Sequence, residues 1–367
     1  MYNGIKETGL AFRTSVRAPV IKSPGTPDLG SWHGSMYEFD VVEAGSLIDT
    51  CMKDVIGSER DLYYVRPHPM NGVPWAFAKP LGKQLLHRVR DIQRAHALYP
   101  LHTFNPYFQM LDRNTSEIGQ WKLPEEGNLL NRVERYNEAV RRIRQEGNAK
   151  DFRHWLQSHK RRSQDNLASV CEYFRDMFAV YSKILVLRIE LDFLEQWRLP
   201  GTEDCVTYAE VREYRERFLR DLRRTLPVHY VGYVWKLEYS VLSGFHVHVM
   251  ILLDGQKARQ DVVYAGIIGD HWSNVVTAGK GFSFNCNRDK RAYKRLGIGL
   301  VCHNDWVMRG NMEYAASYLI KPDMYIELVM PDGGRTFGKG NAPVQLDNRL
   351  GRPRNEVLLS KSDRVKP

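Results

Sequence analysis

Residues 230–253 read YVGYVWKLEYSVLSGFHVHVMILL, and this stretch decides the fold. Its β-branched and aromatic content predicts two strands, Tyr230–Tyr239 and Phe245–Leu253, joined by a short loop that contains glycine. Side chains two positions apart on a strand share a face, so His246 and His248 point the same way. The apolar residues between and beside them point the other way. The stretch therefore predicts a hairpin with one apolar and one polar face.

The loop length sets which residues of the two strands face each other. If residues 241–243 form a three-residue hairpin loop, Ser240 pairs with Gly244 and Glu238 lies opposite His246, with Cβ atoms about 5 Å apart. Two imidazoles and one carboxylate at that separation can hold one divalent cation and leave positions open for water or substrate. Such a set suits Mg²⁺ or Mn²⁺ in phosphate chemistry, and Zn²⁺ also fits its geometry. The alternative is that the histidines are ordinary polar residues on an exposed sheet face.

A second motif, YAASYLIK, follows at residues 314–321, at the end of a helix predicted over Asn311–Ile320. Residues three or four apart lie on the same side of a helix, so Tyr314, Tyr318 and Lys321 share one stripe. A tyrosine hydroxyl, with a pKa of about 10, is a poor nucleophile unless a nearby cation favours the phenolate. The alternative is a pair of core aromatic residues beside a lysine whose charged end reaches water.

The segments around the hairpin predict an α+β fold. Lys183–Phe193 alternates apolar and polar residues as a strand does, and Thr207 with Glu210 forms a capping box before a helix. The order of elements is strand, helix, two strands and helix, a βαββα arrangement in a mainly antiparallel sheet. We expect helices on one face of this sheet and the other face free for chemistry. Further elements are predicted after the hairpin: a helix at 261–276 and strands at 281–285 and 297–302.

Composition and charge limit the classes of function. The chain has 367 residues, of which 43% are hydrophobic and 26% charged, as in soluble globular proteins. Fifty-three Lys and Arg against 43 Asp and Glu give a net charge of +10, which favours a partner with a phosphate backbone. The sequence has neither an apolar run of about 18 residues nor a signal peptide, so we expect no membrane partner. Scattered cysteines favour a reducing cytoplasm: Cys51, Cys171, Cys205, Cys286 and Cys302.

Two basic segments are candidates for DNA contact. The first surrounds Tyr293 with cations, a mixture that is typical of surfaces that bind single strands. The second, residues 333–340, nearly spells a nucleotide-binding loop but ends in Gly340 where Ser or Thr is needed, so we expect a basic loop instead. A solvated loop is the alternative for the first segment. The candidate residues are Arg288, Lys290, Arg291, Lys294, Arg295 and Lys339.

These motifs together resemble a known family. His-x-His in an apolar strand, followed about 70 residues later by Tyr-x-x-Lys, resembles the HUH endonucleases. The segments GYVWKLEY (232–239) and RTFGKG (335–340) are similar to the inovirus-type replication proteins of filamentous phages and prophages, the YagK/YfjJ-like group. The resemblance implies an HUH endonuclease fold, with a ferredoxin/RRM-like sheet, at residues 161–345. We expect a mostly helical accessory region before it at 1–160, with an irregular arm at 1–40, and a basic tail after it at 346–367.

The resemblance also implies a role for each site residue. The metal ligands would be His246, His248 and Glu238, binding Mg²⁺ or Mn²⁺. Tyr318 would be the nucleophile, with Lys321 as its basic partner and Tyr314 as a second tyrosine. The family's first strand is usually rich in threonine, whereas this chain departs from that pattern. The sequence assigns no role to the cation and the two carboxylates of this strand, which are Arg188, Glu190 and Asp192.

The resemblance implies a replication initiation protein that nicks and rejoins single-stranded DNA through a 5′-phosphotyrosine. It would start rolling-circle replication of a phage or prophage in the cytoplasm of a bacterial host. The expected partners are single-stranded or hairpin origin DNA, with a host helicase and polymerase. A non-catalytic DNA-binding regulator of an origin or promoter is the alternative, and a relaxase or transposase would use the same chemistry in another setting.

Overall fold

The computed structural model describes residues 40–116, 129–198, 204–224, 229–293, 295–330 and 332–344. Over these residues the chain is an α+β protein with antiparallel sheets, as predicted. The predicted arm lies outside the described residues except for Asp40, whose side chain caps the first helix. The predicted tail lies wholly outside them. Among the described helices, none combines the length and apolar character needed to span a bilayer.

The N-terminal region is mostly helical, as predicted, and also holds short strands that the sequence analysis did not identify. Its helices pack their apolar faces into a core of their own, which includes Ile48, Leu85, Met110 and Val140. Its elements are α1 (Val41–Gly57), β1 (Tyr63–Pro67), β2 (Pro74–Ala78), α2 (Pro80–Leu98), β3 (His102–Phe104), α3 (Pro106–Thr115) and α4 (Leu129–Asn148).

One long helix, α5 (Lys150–Val180), connects the two parts of the chain. Its start packs into the N-terminal core through Phe152, and its end packs against the main sheet through Tyr173 and Phe174. The sequence-predicted boundary at residue 160 therefore lies inside a continuous helix. A helix shared between two cores holds both of them on one rigid element.

The remaining elements build the main sheet and its helices. The strands and the helix after the capping box lie within a few residues of their predicted positions. The elements are β4 (Lys183–Phe193), α6 (Glu195–Arg198), α7 (Tyr208–Arg224), β5 (Tyr230–Ser240), β6 (Gly244–Asp254), α8 (Asp261–Asp270), a π-helical turn (His271–Val276), β7 (Gly281–Asn285), a 3-10 helix (Cys286–Ala292), β8 (Gly299–Cys302), α9 (Trp306–Ile320), a 3-10 turn (Lys321–Met324), β9 (Ile326–Leu328) and β10 (Phe337–Lys339).

The main sheet is antiparallel, with the strand order β10-β5-β6-β4-β7, and β8 pairs with the start of β4. The hairpin register is the predicted one: Ser240 pairs with Gly244 and Glu238 with His246. Gly244 has a φ of +63°, a conformation that glycine adopts without steric cost and that closes the tight loop. The basic segment predicted as a loop ends instead in the edge strand β10, where Phe337 pairs with Lys236.

Helices cover both faces of the sheet, so the expectation of one wholly free face is wrong. One face packs against α7 and α8, in a core that includes Leu187, Val211 and Ile268. The other face is covered by α5 and α9 over half its length, because Ile184 and Val186 make the start of β4 apolar on this side too. The other half of this face carries the polar residues of β4, β5 and β6, of which Arg188, Lys236 and His248 are buried.

Candidate metal centre and tyrosine helix

The hairpin brings Glu238, His246 and His248 together. One ligand atom from each side chain lies within 4.8 Å of the others. The Nε2 atom of His248 is 3.3 Å from the Oε2 atom of Glu238, and the Nε2 atom of His246 is 3.5 Å from the same oxygen. Both rings therefore present the same nitrogen to one carboxylate. Within the described ranges, no other three His, Cys, Asp or Glu side chains lie this close.

The other nitrogen of each ring faces an oxygen of the protein. The Nδ1 atom of His246 lies 3.2 Å from the carbonyl oxygen of Gly244, and the Nδ1 atom of His248 lies 3.5 Å from Oε1 of Glu190. A ring that places its proton on Nδ1 leaves the lone pair of Nε2 for a metal. The donor set therefore fits a divalent cation held by two nitrogens and one carboxylate oxygen.

The carboxylates of β4, whose role the sequence left open, lie directly behind the histidines. Glu190 pairs across the sheet with His248, and the Arg188 guanidinium is 3.9 Å from the Glu190 carboxylate. The charge of His246 acts on Asp192, whose carboxylate is 4.0 Å from the Arg198 guanidinium. Each carboxylate thus faces one cationic guanidinium while it lies near one of the ligand histidines.

Mutual attraction sets the charges in the cluster. Burial acts to raise the pKa of Glu238, but the two histidines outweigh it and hold that pKa well below its usual value. Burial acts to lower the pKa of His248, but Glu238 and Glu190 outweigh it and raise that pKa to about 10. His248 is therefore protonated at neutral pH when no cation is bound. A metal ion at Nε2 of His248 would take the place of that proton beside Glu238.

The two tyrosines of α9 meet at their hydroxyl groups. The Oη atoms of Tyr314 and Tyr318 are 2.5 Å apart, and their rings lie edge to face with centroids 5.0 Å apart. The Arg295 guanidinium lies over the Tyr314 ring at 4.5 Å. The helix begins at Trp306 rather than at Asn311, because the Asp305 side chain caps it. The spacing of four residues thus brings both hydroxyls to one point.

Charges connect this tyrosine pair to the metal cluster. Burial and the hydrogen bond to Tyr314 raise the pKa of Tyr318 to about 12, and the positive charges of Arg295 and Arg188 partly offset that increase. Arg188 is also the cation beside Glu190. The side chain of Lys321 is exposed on the 3-10 turn. The two arginines are therefore the cations that act most strongly on the Tyr318 hydroxyl.

A buried ion pair joins the turn after α9 to the strand that carries Glu238. The Nζ atom of Lys236 lies 2.5 Å from Oδ1 of Asp323, and the Lys236 side chain is only 2% exposed. Lys236 pairs with His248 across the hairpin, on the same face as Glu238. The sequence does not predict this pair. The spacing of two positions between Lys236 and Glu238 indicates only that both lie on the same face of the strand.

The predicted DNA-binding cations have different surroundings. Arg288 is exposed, while Lys290 forms an ion pair with Asp261. Arg295 lies over Tyr314, and the Lys339 ammonium lies 5.0 Å from the centre of the Tyr173 ring. The structure does not describe the side chain of Arg291, and Lys294 lies outside the described residues.

The basic segment is fixed to the sheet by one buried amide. The side chain of Asn287 accepts a hydrogen bond of 2.8 Å from the backbone N–H of Arg188 and donates one of 3.0 Å to the carbonyl of Val186. Asn287 is 1% exposed. The start of the basic segment is thereby held beside β4.

Comparison with known proteins gives one match. Neither a curated protein nor a solved structure matches the chain. The family model of the YagK/YfjJ C-terminal domain matches residues 148–339, which is more than half of the 367 residues. The matched region includes the hairpin, the tyrosine helix and the Lys236–Asp323 pair. This chain therefore belongs to the YagK/YfjJ family.

Proposed function

We propose that this protein is a metal-dependent HUH endonuclease for single-stranded DNA. In this proposal it nicks and rejoins an origin and so starts rolling-circle replication of a phage or prophage in the host cytoplasm. The observation that carries the proposal is a His-His-Glu cluster and a tyrosine pair that share one neighbouring cation, because the charge of Arg188 acts on Tyr318 and its guanidinium lies 3.9 Å from Glu190. A cation site and a nucleophile on separate elements are what transfer of a phosphodiester requires.

The strand order supports the same assignment. Counting β4 as the first strand, the order β5-β6-β4-β7 is 2-3-1-4, with α6 and α7 after the first strand and α8 after the third. This order is consistent with the ferredoxin-like arrangement that we expect of an HUH domain. It places the first and third strands side by side at the centre, so Glu190 and His248 become neighbours.

In this proposal His246 and His248 hold Mg²⁺ or Mn²⁺ through Nε2, and Glu238 holds it through a carboxylate oxygen. The bound cation supplies polarisation of the scissile phosphate and stabilises its developing negative charge. Glu190 and the Gly244 carbonyl keep the rings in the ligating orientation. Zn²⁺ fits the same donors, and a comparison of nicking with Mg²⁺, Mn²⁺ and Zn²⁺ would identify the active metal.

Tyr318 carries out the covalent step. Its hydroxyl loses a proton to solvent, and the phenolate oxygen attacks the phosphorus of the scissile phosphodiester. The bond from phosphorus to the 3′ oxygen breaks, and that oxygen leaves with the electron pair and takes a proton from water. The products are a 5′-phosphotyrosine and a 3′-OH that a polymerase can extend. Attack by a later 3′-OH reverses the step and seals the strand without a nucleotide cofactor.

Tyr314 is the candidate for the second cleavage. Its hydroxyl lies 2.5 Å from that of Tyr318, so both can reach the same phosphate position. A replication cycle needs a second cut while Tyr318 still holds the first DNA end. The basic residues around Arg288 and Lys290, with Lys339 at the edge strand, would bind the origin DNA.

The test is formation of a covalent adduct. Single-stranded DNA from the protein's own genetic element is incubated with Mg²⁺ or Mn²⁺ and run on a denaturing gel. We expect an adduct with wild type, with Tyr314→Phe and with the control Tyr264→Phe, and none with Tyr318→Phe or His246→Ala. Absence of an adduct from wild type, with salt-sensitive DNA binding retained, would instead favour a non-catalytic regulator.

A further inference from the structure

We propose that the outer face of the β1–β2 ribbon binds single-stranded DNA by stacking on its bases. We call this surface the ribbon face, and it lies outside the segment that matches the family. The inference rests on the proposed function only for the presence of a single strand on the protein. The ribbon face consists of Tyr64, Arg66, His68, Trp75 and Phe77.

The strand register separates these side chains from the core. Tyr64 pairs with Phe77 and Arg66 with Trp75, so alternation places all four on one side of the ribbon. The opposite side carries Tyr63, which is 2% exposed in the N-terminal core. None of the five ribbon-face side chains belongs to the apolar clusters that the described residues form. The ribbon therefore has a second aromatic face that the core does not use.

The planar groups of the ribbon face are already arranged for stacking. The rings of Tyr64 and Phe77 lie 5.8 Å apart at 16°, and the Arg66 guanidinium lies 4.2 Å from the Phe77 ring. The ring of His68 contacts that of Trp75 edge to face at 5.6 Å. The three aromatic rings are partly exposed and Arg66 is exposed. A base can extend this stack on a ring or on the guanidinium plane.

Charge and loop composition favour a nucleic acid over an apolar protein partner. The ribbon face carries the positive charge of Arg66 and no carboxylate, which complements a phosphate backbone. At the loop end, Met70 is 89% exposed and Val73 is 53% exposed. These apolar side chains extend the surface on which unpaired bases can lie. Bases in a duplex already stack on each other, so a platform of this kind selects single strands.

The test compares a 20-nucleotide oligothymidylate with the same backbone lacking its bases, by fluorescence anisotropy at fixed salt. We expect Trp75→Ala and Phe77→Ala to weaken binding of oligothymidylate about tenfold and to leave binding of the abasic strand unchanged. Trp75→Phe keeps a ring and should restore most of the affinity. The matched control is Trp306→Ala, which removes another partly exposed tryptophan that lies under an arginine.

Three results would overturn the inference. One is that the alanine variants bind oligothymidylate and the abasic strand with unchanged affinity. The ribbon face would then be a binding surface for a protein partner. Another is equal weakening on both strands, which indicates a loss of charge or of folding. The third is a failure of Trp75→Phe to restore binding when its unfolding midpoint is that of wild type.

The outcome is separable from that of the proposed function. At saturating DNA, Trp75→Ala should form the covalent adduct at the wild-type rate, because the ribbon face takes no part in the chemistry. Base-dependent binding at the ribbon in a protein that forms no adduct would leave this inference standing and the nuclease proposal rejected.

Discussion

At the scale of single residues, Glu190 explains how a histidine in the middle of a sheet keeps its ligating nitrogen available. Its carboxylate faces Nδ1 of His248 at 3.5 Å, while Nε2 of that ring faces Glu238 at 3.3 Å. A carboxylate behind a ligand histidine fixes the ring and makes it a stronger donor. In the proposed metal site Glu190 is a positioning residue, and the sequence alone left its role open.

Glu190→Gln should weaken Mn²⁺ binding about tenfold, because the amide keeps the size of the side chain but not its charge. Isothermal titration calorimetry at pH 7 measures the effect. The matched control is Glu216→Gln, which removes an exposed carboxylate on α7. An unchanged dissociation constant in Glu190→Gln would show that the contact with His248 is incidental.

The tyrosine pair predicts a pH dependence. With a pKa of about 12, Tyr318 is protonated at neutral pH, and below that pKa each unit increase in pH raises the phenolate fraction about tenfold. The hydrogen bond between the two hydroxyls contributes to the raised pKa, so its loss in Tyr314→Phe lowers the pKa of Tyr318. We expect the first cleavage to be as fast or faster in this variant, with its rate profile shifted to lower pH.

Single-turnover adduct formation between pH 6.5 and 9.5, at saturating Mg²⁺, measures this shift. Because Mg²⁺ is saturating at every pH, the rate profile does not include changes in metal binding. A first cleavage at least tenfold slower in Tyr314→Phe than in wild type would mean that Tyr314 assists proton removal. That result would exclude a role limited to the second cut.

At the scale of elements, what could be predicted depended on local signals. The hairpin register followed from Gly244 and the loop length, and the helix α7 followed from its capping box, whose hydrogen bonds between Thr207 and Glu210 are present. The strands β3, β9 and β10 have three residues each, too few to show a period of two. Their partners are distant in the sequence, so only tertiary packing selects them.

The same limit applies to the candidate site. The spacing of the three candidate metal ligands and of the two tyrosines can be read from the sequence. The contacts between the strand and the helix cannot. Asp323 pairs with Lys236 across 87 residues, a separation over which sequence spacing carries no geometry. This ion pair ties the turn after α9 to the hairpin, in addition to the apolar contacts of α9 with the sheet.

Lys236→Met alone should destabilise the protein by about 3–5 kcal/mol, because it leaves the Asp323 carboxylate buried without its partner. Replacing both residues, as Lys236→Met with Asp323→Leu, should recover most of the stability, since apolar residues of similar volume remove both charges. Adduct formation should remain about a hundredfold slow, because the nucleophile is no longer held in line.

Urea denaturation, Mn²⁺ titration and single-turnover cleavage separate these effects. The double variant should bind Mn²⁺ as wild type does, because it keeps all three ligands. Wild-type cleavage by a stable double variant would mean that the ion pair serves folding alone.

At the scale of the whole molecule, the N-terminal region is attached to the site at several points. The backbone N–H of Val241, in the hairpin loop, donates to the carbonyl of Leu98 at the end of α2 at 2.9 Å. β3 pairs with β9, and Ile326 of β9 lies in the N-terminal core. Burial lowers the pKa of His102 to about 4, and the negative charge of Glu238 opposes that decrease. The accessory region thus extends to the metal cluster.

This attachment predicts that metal binding stabilises both parts of the chain together. At a free Mn²⁺ concentration of about 100 times the dissociation constant, the free energy of unfolding should rise by about 2.7 kcal/mol. Because α5 and the β3–β9 pair join the two cores, one cooperative transition should carry the whole increase. Hydrogen exchange should then slow in peptides from residues 62–115 as well as in those from the hairpin. His248→Ala should abolish both effects. If Mn²⁺ does not change the exchange rate of peptides from residues 62–115, the two cores unfold independently.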